Sequence, residues 1–152
     1  MSDWNSDFLD LLDCLAAEGV DFLIVGAFAL AQHGLPRATG DLDVLVRPTA
    51  DNARRAFAAL RRFGAPLAEV TAEDFARPGT VFQLGVVPRR IDLLTELSGV
   101  SFDEAWASRV QRPIDGRSAA FLGYETLIKN KRCAARPKDL VDADELEKLR
   151  RR

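Results

Sequence analysis

Asp41 and Asp43 stand at alternate positions in the apolar run DLDVLV, residues 41–46. In an extended strand, residues two apart share a face at roughly 6.6 Å. Both carboxylates therefore project together, with Leu42 and Val44 on the opposite side. Two negative charges at that separation repel by roughly 2–3 kcal/mol at an effective dielectric near 20, so a positive partner is expected. Oxygen donors with no His or Cys close in sequence favour Mg²⁺ or Mn²⁺ over zinc. A third carboxylate, Asp92, lies in RRIDLLT between Ile91 and Leu93. Three acidic side chains on two neighbouring strands could hold two divalent cations. Such ions clamp the attacking and leaving oxygens of a phosphoryl displacement, and a carboxylate can accept the attacking hydroxyl's proton. Each residue also has a plainer reading: a pair that caps an exposed strand mouth, and an edge aspartate salt-bridged to Arg90.

Upstream, FLIVG runs directly into AFALAQH, a strand ending in Gly26 followed by a short helix. That junction gathers free backbone N–H groups and the positive helix end, which suits a phosphate. Ala27 keeps the turn small enough for a ligand to approach. Arg37, just before the aspartates, either contacts phosphate or pairs with a carboxylate. His33, the only histidine, closes the short helix against Gly34 and reads as a capping or packing residue.

The positioning elements follow from periodicity. Trp4, Phe8, Leu11, Leu12 and Leu15 recur at helical steps, giving a first helix that stops at Gly19. After DLDVLVRP, Thr49 opens a helix with Ala53, Ala56, Phe57 and Leu60 inward, ended by Gly64 and Pro66. LAEVTAEDFARPG suggests a scrap of strand and a short helix capped by Thr71. TVFQLGVVPRRIDLLTEL reads as two extended runs joined at PRR. SFDEAWASRV is a helix with Ser101 as N-cap and Glu104 completing a capping box. A short extended piece near RPIDGRSAAFLG precedes two closing helices. In the second, Pro137 is the first residue and Leu140, Leu146 and Leu149 share one face. The order predicts an α+β fold, a partly parallel and partly antiparallel sheet covered by helices.

Composition limits the alternatives. The chain has 152 residues, a formal net charge of −2 and a sequence pI of about 5.5, so it is not an overall basic binder of nucleic acid. Its basic doublets at 54–55 and 61–62 and the terminal run at 150–152 read as solvated faces. Cys14 and Cys133 show no metal or redox spacing, as expected of thiols in a reducing compartment. The start, MSDWNSDFLD, lacks the basic and apolar regions of a signal peptide, and no apolar run approaches the ~20 residues of a membrane helix. A cytoplasmic location with no membrane partner is expected.

The stretch G-A-x-A-L-x-x-H-G-x-x-R-x-T-G-D-L-D, Gly26 to Asp43, resembles the signature of minimal nucleotidyltransferases of the DNA polymerase β superfamily. It looks most like the bacterial branch that includes AbiEii-type toxins. RRIDLLTELSGVSFDEAW and LIKNKRCAARPKDLVDADEL are similar to that branch as well, so the resemblance spans most of the chain. It implies a single nucleotidyltransferase domain over residues 1–152, with a mixed-sheet palm flanked by helices. Gly26 and Ala27 would lie beside the triphosphate of an NTP. Asp41 and Asp43 would bind two Mg²⁺ (or Mn²⁺) ions, and Asp92 would complete the triad and activate the acceptor hydroxyl. A late-helix lysine would reach the phosphates; Lys129 and Lys131 point to different faces, so one of them is expected to.

One position departs from the pattern, which usually has Gly-Ser or Gly-Gly where this chain has Ala27. The missing hydroxyl bears on nucleotide affinity rather than on the chemistry. The implied activity is transfer of an NMP to a hydroxyl of a protein side chain, an RNA 3′ end or a small molecule, with toxin–antitoxin membership as an extension. The competing class is a binding module that has lost turnover. A palm this small has little room for a separate acceptor-binding region, so a homodimer or a partner protein would complete the site.

Overall fold

A computed structural model of the chain describes residues 4–37, 40–86 and 89–151. Thr39 of the signature and Pro88 of the PRR joint lie outside the described residues. Helix α1 (Ser6–Ala17) starts at Asn5, whose side chain accepts from Phe8 N–H at 2.9 Å, and buries Phe8, Leu11, Leu12 and Leu15. Strand β1 (Phe22–Val25) feeds α2 (Gly26–Gln32), and β2 spans Leu42–Val46. Helix α3 (Ala50–Phe63) is capped by Thr49 and ended by Gly64 in the left-handed region. A short 3-10 helix (Ala72–Ala76) follows, with Thr71 and Asp74 forming a reciprocal capping box. Strands β3 (Val81–Leu84) and β4 (Ile91–Leu94) make the expected antiparallel pair.

Helix α4 (Phe102–Ala107) leads to β5 (Val110–Ile114) and β6 (Arg117–Phe121), and α5 (Tyr124–Ala134) and α6 (Pro137–Arg150) close the order. The six strands form one mixed sheet in the order β3-β4-β2-β1-β6-β5. β1 pairs antiparallel with β2, while β2–β4 and β1–β6 are parallel. Val44 and Leu45 point to opposite faces yet are both buried, so both faces of β2 are covered. Helix α1 packs along α3, which also meets β2 and the 3-10 helix, and α5 packs on α6.

Four local expectations differ from the structure. No strand precedes the 3-10 helix, because residues 65–71 turn instead of pairing. The extended piece near RPIDGRSAAFLG is a full hairpin, turning at Asp115 (φ 46°) and Gly116 (φ 81°), and β6 lies inside the sheet. Ser101 accepts from Glu104 N–H, but the Glu104 carboxylate binds Lys129 Nζ at 2.8 and 3.0 Å instead of reaching back to the cap. On α6 the buried face is Asp139, Asp142, Ala143 and Leu146, while Leu140 is exposed.

Candidate functional site

The register of the sheet assembles the acidic side chains. Asp43 on β2 pairs with Val25 on β1 and with Asp92 on β4. Asp41 sits one residue ahead of β2, where Leu42 N–H bonds Arg90 carbonyl at 2.9 Å and fixes the strand entry. Leu42 and Val44 are fully buried on the other face, as alternation requires.

Gly26 makes this convergence sterically feasible. Its φ is +67°, and a Cβ built there would lie 2.2 Å from Asp43 Oδ2. The Asp43 carboxylate thus occupies the space a side chain at position 26 would need. Val25 caps α2 without a side-chain hydrogen bond.

These residues line a cavity of about 540 Å³ whose walls include Gly26, Ala27, Arg37, Asp41, Asp43, Arg90, Asp92, Lys131, Lys138, Asp139 and Asp142. The structure therefore brings seven sequence-derived positions together: Gly26, Ala27, Arg37, Asp41, Asp43, Asp92 and Lys131. Lys129 stands outside the lining, on another face of α5, paired with Glu104. The step of two between the lysines separates them as helical geometry demands. His33 Nε2 lies 2.9 Å from Leu122 carbonyl and its ring packs edge-on to Tyr124, a packing position.

Charge is distributed unevenly within the cavity. Arg90 contacts Asp92 Oδ1 through Nε at 3.0 Å and Asp41 Oδ2 through Nη2 at 3.3 Å. Asp43 takes no ion pair among the described residues, and its pKa is pushed up to about 6. Burial is the main cause, followed by the charges of Asp92 and Asp41; Arg90 and Lys131 pull the other way. At the opposite wall, Lys131 Nζ lies 3.4 Å from both Asp139 Oδ1 and Asp142 Oδ2. Arg136 Nε binds Asp139 Oδ2 at 2.7 Å, and Arg37 binds Asp142. Burial opposes the ionisation of Asp139, yet hydrogen bonds and charge from Arg136 and Lys131 hold its pKa below the usual carboxylate range.

Arg37 thus takes the carboxylate option, with a partner on α6 rather than in the triad. Sequence reading missed Asp139, Asp142, Arg136 and Lys138, and weighed Arg90 only as a salt-bridge partner. The i, i+3 spacing of Asp139 and Asp142 was the available signal, since it places both on one helix face.

A divalent cation fits the chemistry of the sheet end. The donors are all carboxylate oxygens, and one of them fills a cradle left by a glycine. Among the described residues, no group of three acidic, His or Cys side chains is placed to hold a metal ion in this arrangement. Arg90 holds two of the three carboxylates in this arrangement.

No protein-family model matches the chain, and a comparison with curated proteins gives no match. Among solved structures, it is similar to a candidate nucleotidyltransferase from Thermotoga maritima, with a TM-score of 0.57 at 15% identity, covering 95% of this chain and 91% of that one. An antigenic nucleotidyltransferase-like protein from Paracoccidioides brasiliensis gives a TM-score of 0.51 at 14% identity, over 94% of this chain and 75% of that one. The class that the sheet order and these likenesses define is the nucleotidyltransferase fold, a mixed α+β palm flanked by helices. At such identities the likeness speaks for the fold and leaves the chemistry to the site.

Proposed function

We propose that this chain is a Mg²⁺- or Mn²⁺-dependent nucleotidyltransferase that moves an NMP from an NTP to a hydroxyl acceptor and releases pyrophosphate. The observation that carries the reading is the in-register Asp43–Asp92 pair on adjacent parallel strands, facing the Gly26 turn in a cavity that also holds Lys131 and Lys138. Asp41, Asp43 and Asp92 would hold the two ions. When bound, the ions neutralise phosphate charge and lower the barrier to in-line displacement. The small Ala27, which lines the cavity beside the Gly26 turn, leaves room for the phosphates against the backbone. Lys138, exposed at the cavity and without a partner among the described residues, is the cation most available to a phosphate oxygen. Lys131, committed to Asp139 and Asp142, sets the positive side of the cavity at longer range.

Asp92 accepts the acceptor hydroxyl's proton as that oxygen bonds to the α-phosphorus and the bond to the pyrophosphate oxygen breaks. Holding these groups in line supplies the remaining catalysis, with no covalent protein intermediate. The acceptor is a protein side chain, an RNA 3′ end or a small molecule. A homodimer or partner protein completing the site, and membership of an AbiEii-like toxin–antitoxin pair, rest on the sequence resemblance and chain size alone.

A second reading, a nucleotide-binding module without turnover, draws on the Arg90 pairing, which already neutralises part of the triad. Incubation with Mg²⁺ or Mn²⁺ and each α-labelled NTP, with bulk tRNA or lysate, separates the two. The enzyme reading expects label transfer that Asp41→Ala with Asp43→Ala abolishes. NTP binding without transfer under every condition supports the binding module, and transfer that survives the double substitution refutes the triad mechanism.

A further inference from the structure

We infer that Arg90 is an internal counter-ion that occupies the cation position of the metal-free site and is displaced when a divalent ion binds; this rests on the metal-site reading above. Its planar guanidinium reaches both carboxylates that flank Asp43: Nε to Asp92 Oδ1 at 3.0 Å, and Nη2 to Asp41 Oδ2 at 3.3 Å and to Asp92 Oδ2 at 3.4 Å. A metal ion held by the triad needs those same oxygens, so guanidinium and ion compete for one set of acceptors.

Backbone and side chain of Arg90 are held differently. Its carbonyl accepts from Leu42 N–H at 2.9 Å, which ties the entry of β4 to the entry of β2. Its side chain is 31% exposed and lines the cavity. The guanidinium can therefore swing out without breaking the sheet. Nothing comparable holds for the Lys131–Asp139 pair, where the carboxylate is 1% exposed and locked from two sides.

The arrangement solves an electrostatic problem. Three carboxylates on adjoining positions would repel one another and destabilise the apo fold. A tethered guanidinium relieves much of this without needing an ion, at the cost of weaker metal uptake. Only an ion of higher charge density, delivered with its own oxygen-rich triphosphate, competes well.

Mn²⁺ uptake by the purified full chain, read from loss of the free-ion electron paramagnetic resonance signal without nucleotide, tests this. Wild type is expected to bind Mn²⁺ weakly and Asp43→Asn to lose the binding. Arg90→Ala should bind about tenfold more tightly, because removing a competing charge next to carboxylates is worth at least that factor. Arg90→Gln, which keeps hydrogen-bonding capacity without charge, carries the same expectation should the alanine variant fail to fold. Arg90→Lys should stay near wild type. Equal or weaker Mn²⁺ binding by both neutral variants, with Asp43-dependent binding in wild type, overturns the counter-ion role and leaves the metal site standing. No uptake by wild type or the neutral variants overturns the metal site and the displacement together.

Discussion

At the sheet end of the cavity one guanidinium pairs with Asp41 and Asp92 and leaves Asp43 without an ion pair among the described residues, whereas Asp139 and Asp142 on α6 face Lys131, Arg136 and Arg37. Among the described residues lining the cavity, carboxylates outnumber cations at the sheet end, and the α6 end is balanced or better. The two ends set their aspartates differently: burial, and then the charges of Asp92 and Asp41, push half-buried Asp43 up to about 6, while Arg136 and Lys131 outweigh burial and hold Asp139 below the ordinary range. An acidic cluster is therefore no guide to function until its cations are counted. On the proposed reading, the saturated end is framework for the cavity wall, and the unsaturated end is where an added cation would gain free energy.

Removing a carboxylate charge should have opposite effects at the two ends. Asp139→Ala leaves Lys131 and Arg136 without their shared partner beside a buried wall, and should cost about 3–5 kcal/mol of stability, read by urea unfolding. Gly26→Ala forces a Cβ onto Asp43 Oδ2 at positive φ, and a loss of about 2–3 kcal/mol is expected in the same assay. Asp43→Asn should instead stabilise the metal-free chain near pH 7.5, by about 2 kcal/mol.

The pH dependence of that gain follows from its sign. Asp43 keeps its proton to higher pH in the folded chain than in the unfolded one, so the wild type loses stability as pH rises from about 4 through about 6. The advantage of Asp43→Asn should vanish below about pH 4, which paired unfolding curves at pH 3.8 and 7.5 would show. Lys129→Ala, outside the cavity and paired at the surface, should change stability by less than about 1 kcal/mol. A large effect there would mean that α5 presents a different face to the cavity.

Much of this was legible from the residues. Alternation placed Asp41 and Asp43 on one face, and the Gly26 break announced a turn that tolerates close approach. β-branched and Leu-rich runs marked β1, β2 and β4. The hairpin of β5 and β6 was underread although Asp115-Gly116 is a strong two-residue turn signal, because Arg117 and Ser118 weaken the apolar alternation before Ala119–Phe121. The buried face of α6 was misassigned for a different reason. Its leucines suggested a core stripe, but Asp139 and Asp142 pair with Lys131 on α5 and with Arg37 before β2, partners on other elements that helical periodicity does not reveal. Arg90 was similarly hidden, since its role depends on reaching Asp41 as well as Asp92.

The contrast between the two ends is tested most directly by the stability increment that Mg²⁺ confers on the nucleotide-free chain, measured as urea unfolding free energy with and without saturating ion. Ligand binding to the native state alone raises stability by RT ln(1 + L/Kd), with L the free ligand concentration. Wild type and a folded Asp139→Asn variant should gain the same increment, and Asp43→Asn should gain none. An equal increment in Asp43→Asn and wild type, or one lost only in Asp139→Asn, would contradict the assignment of the sheet end as the cation site.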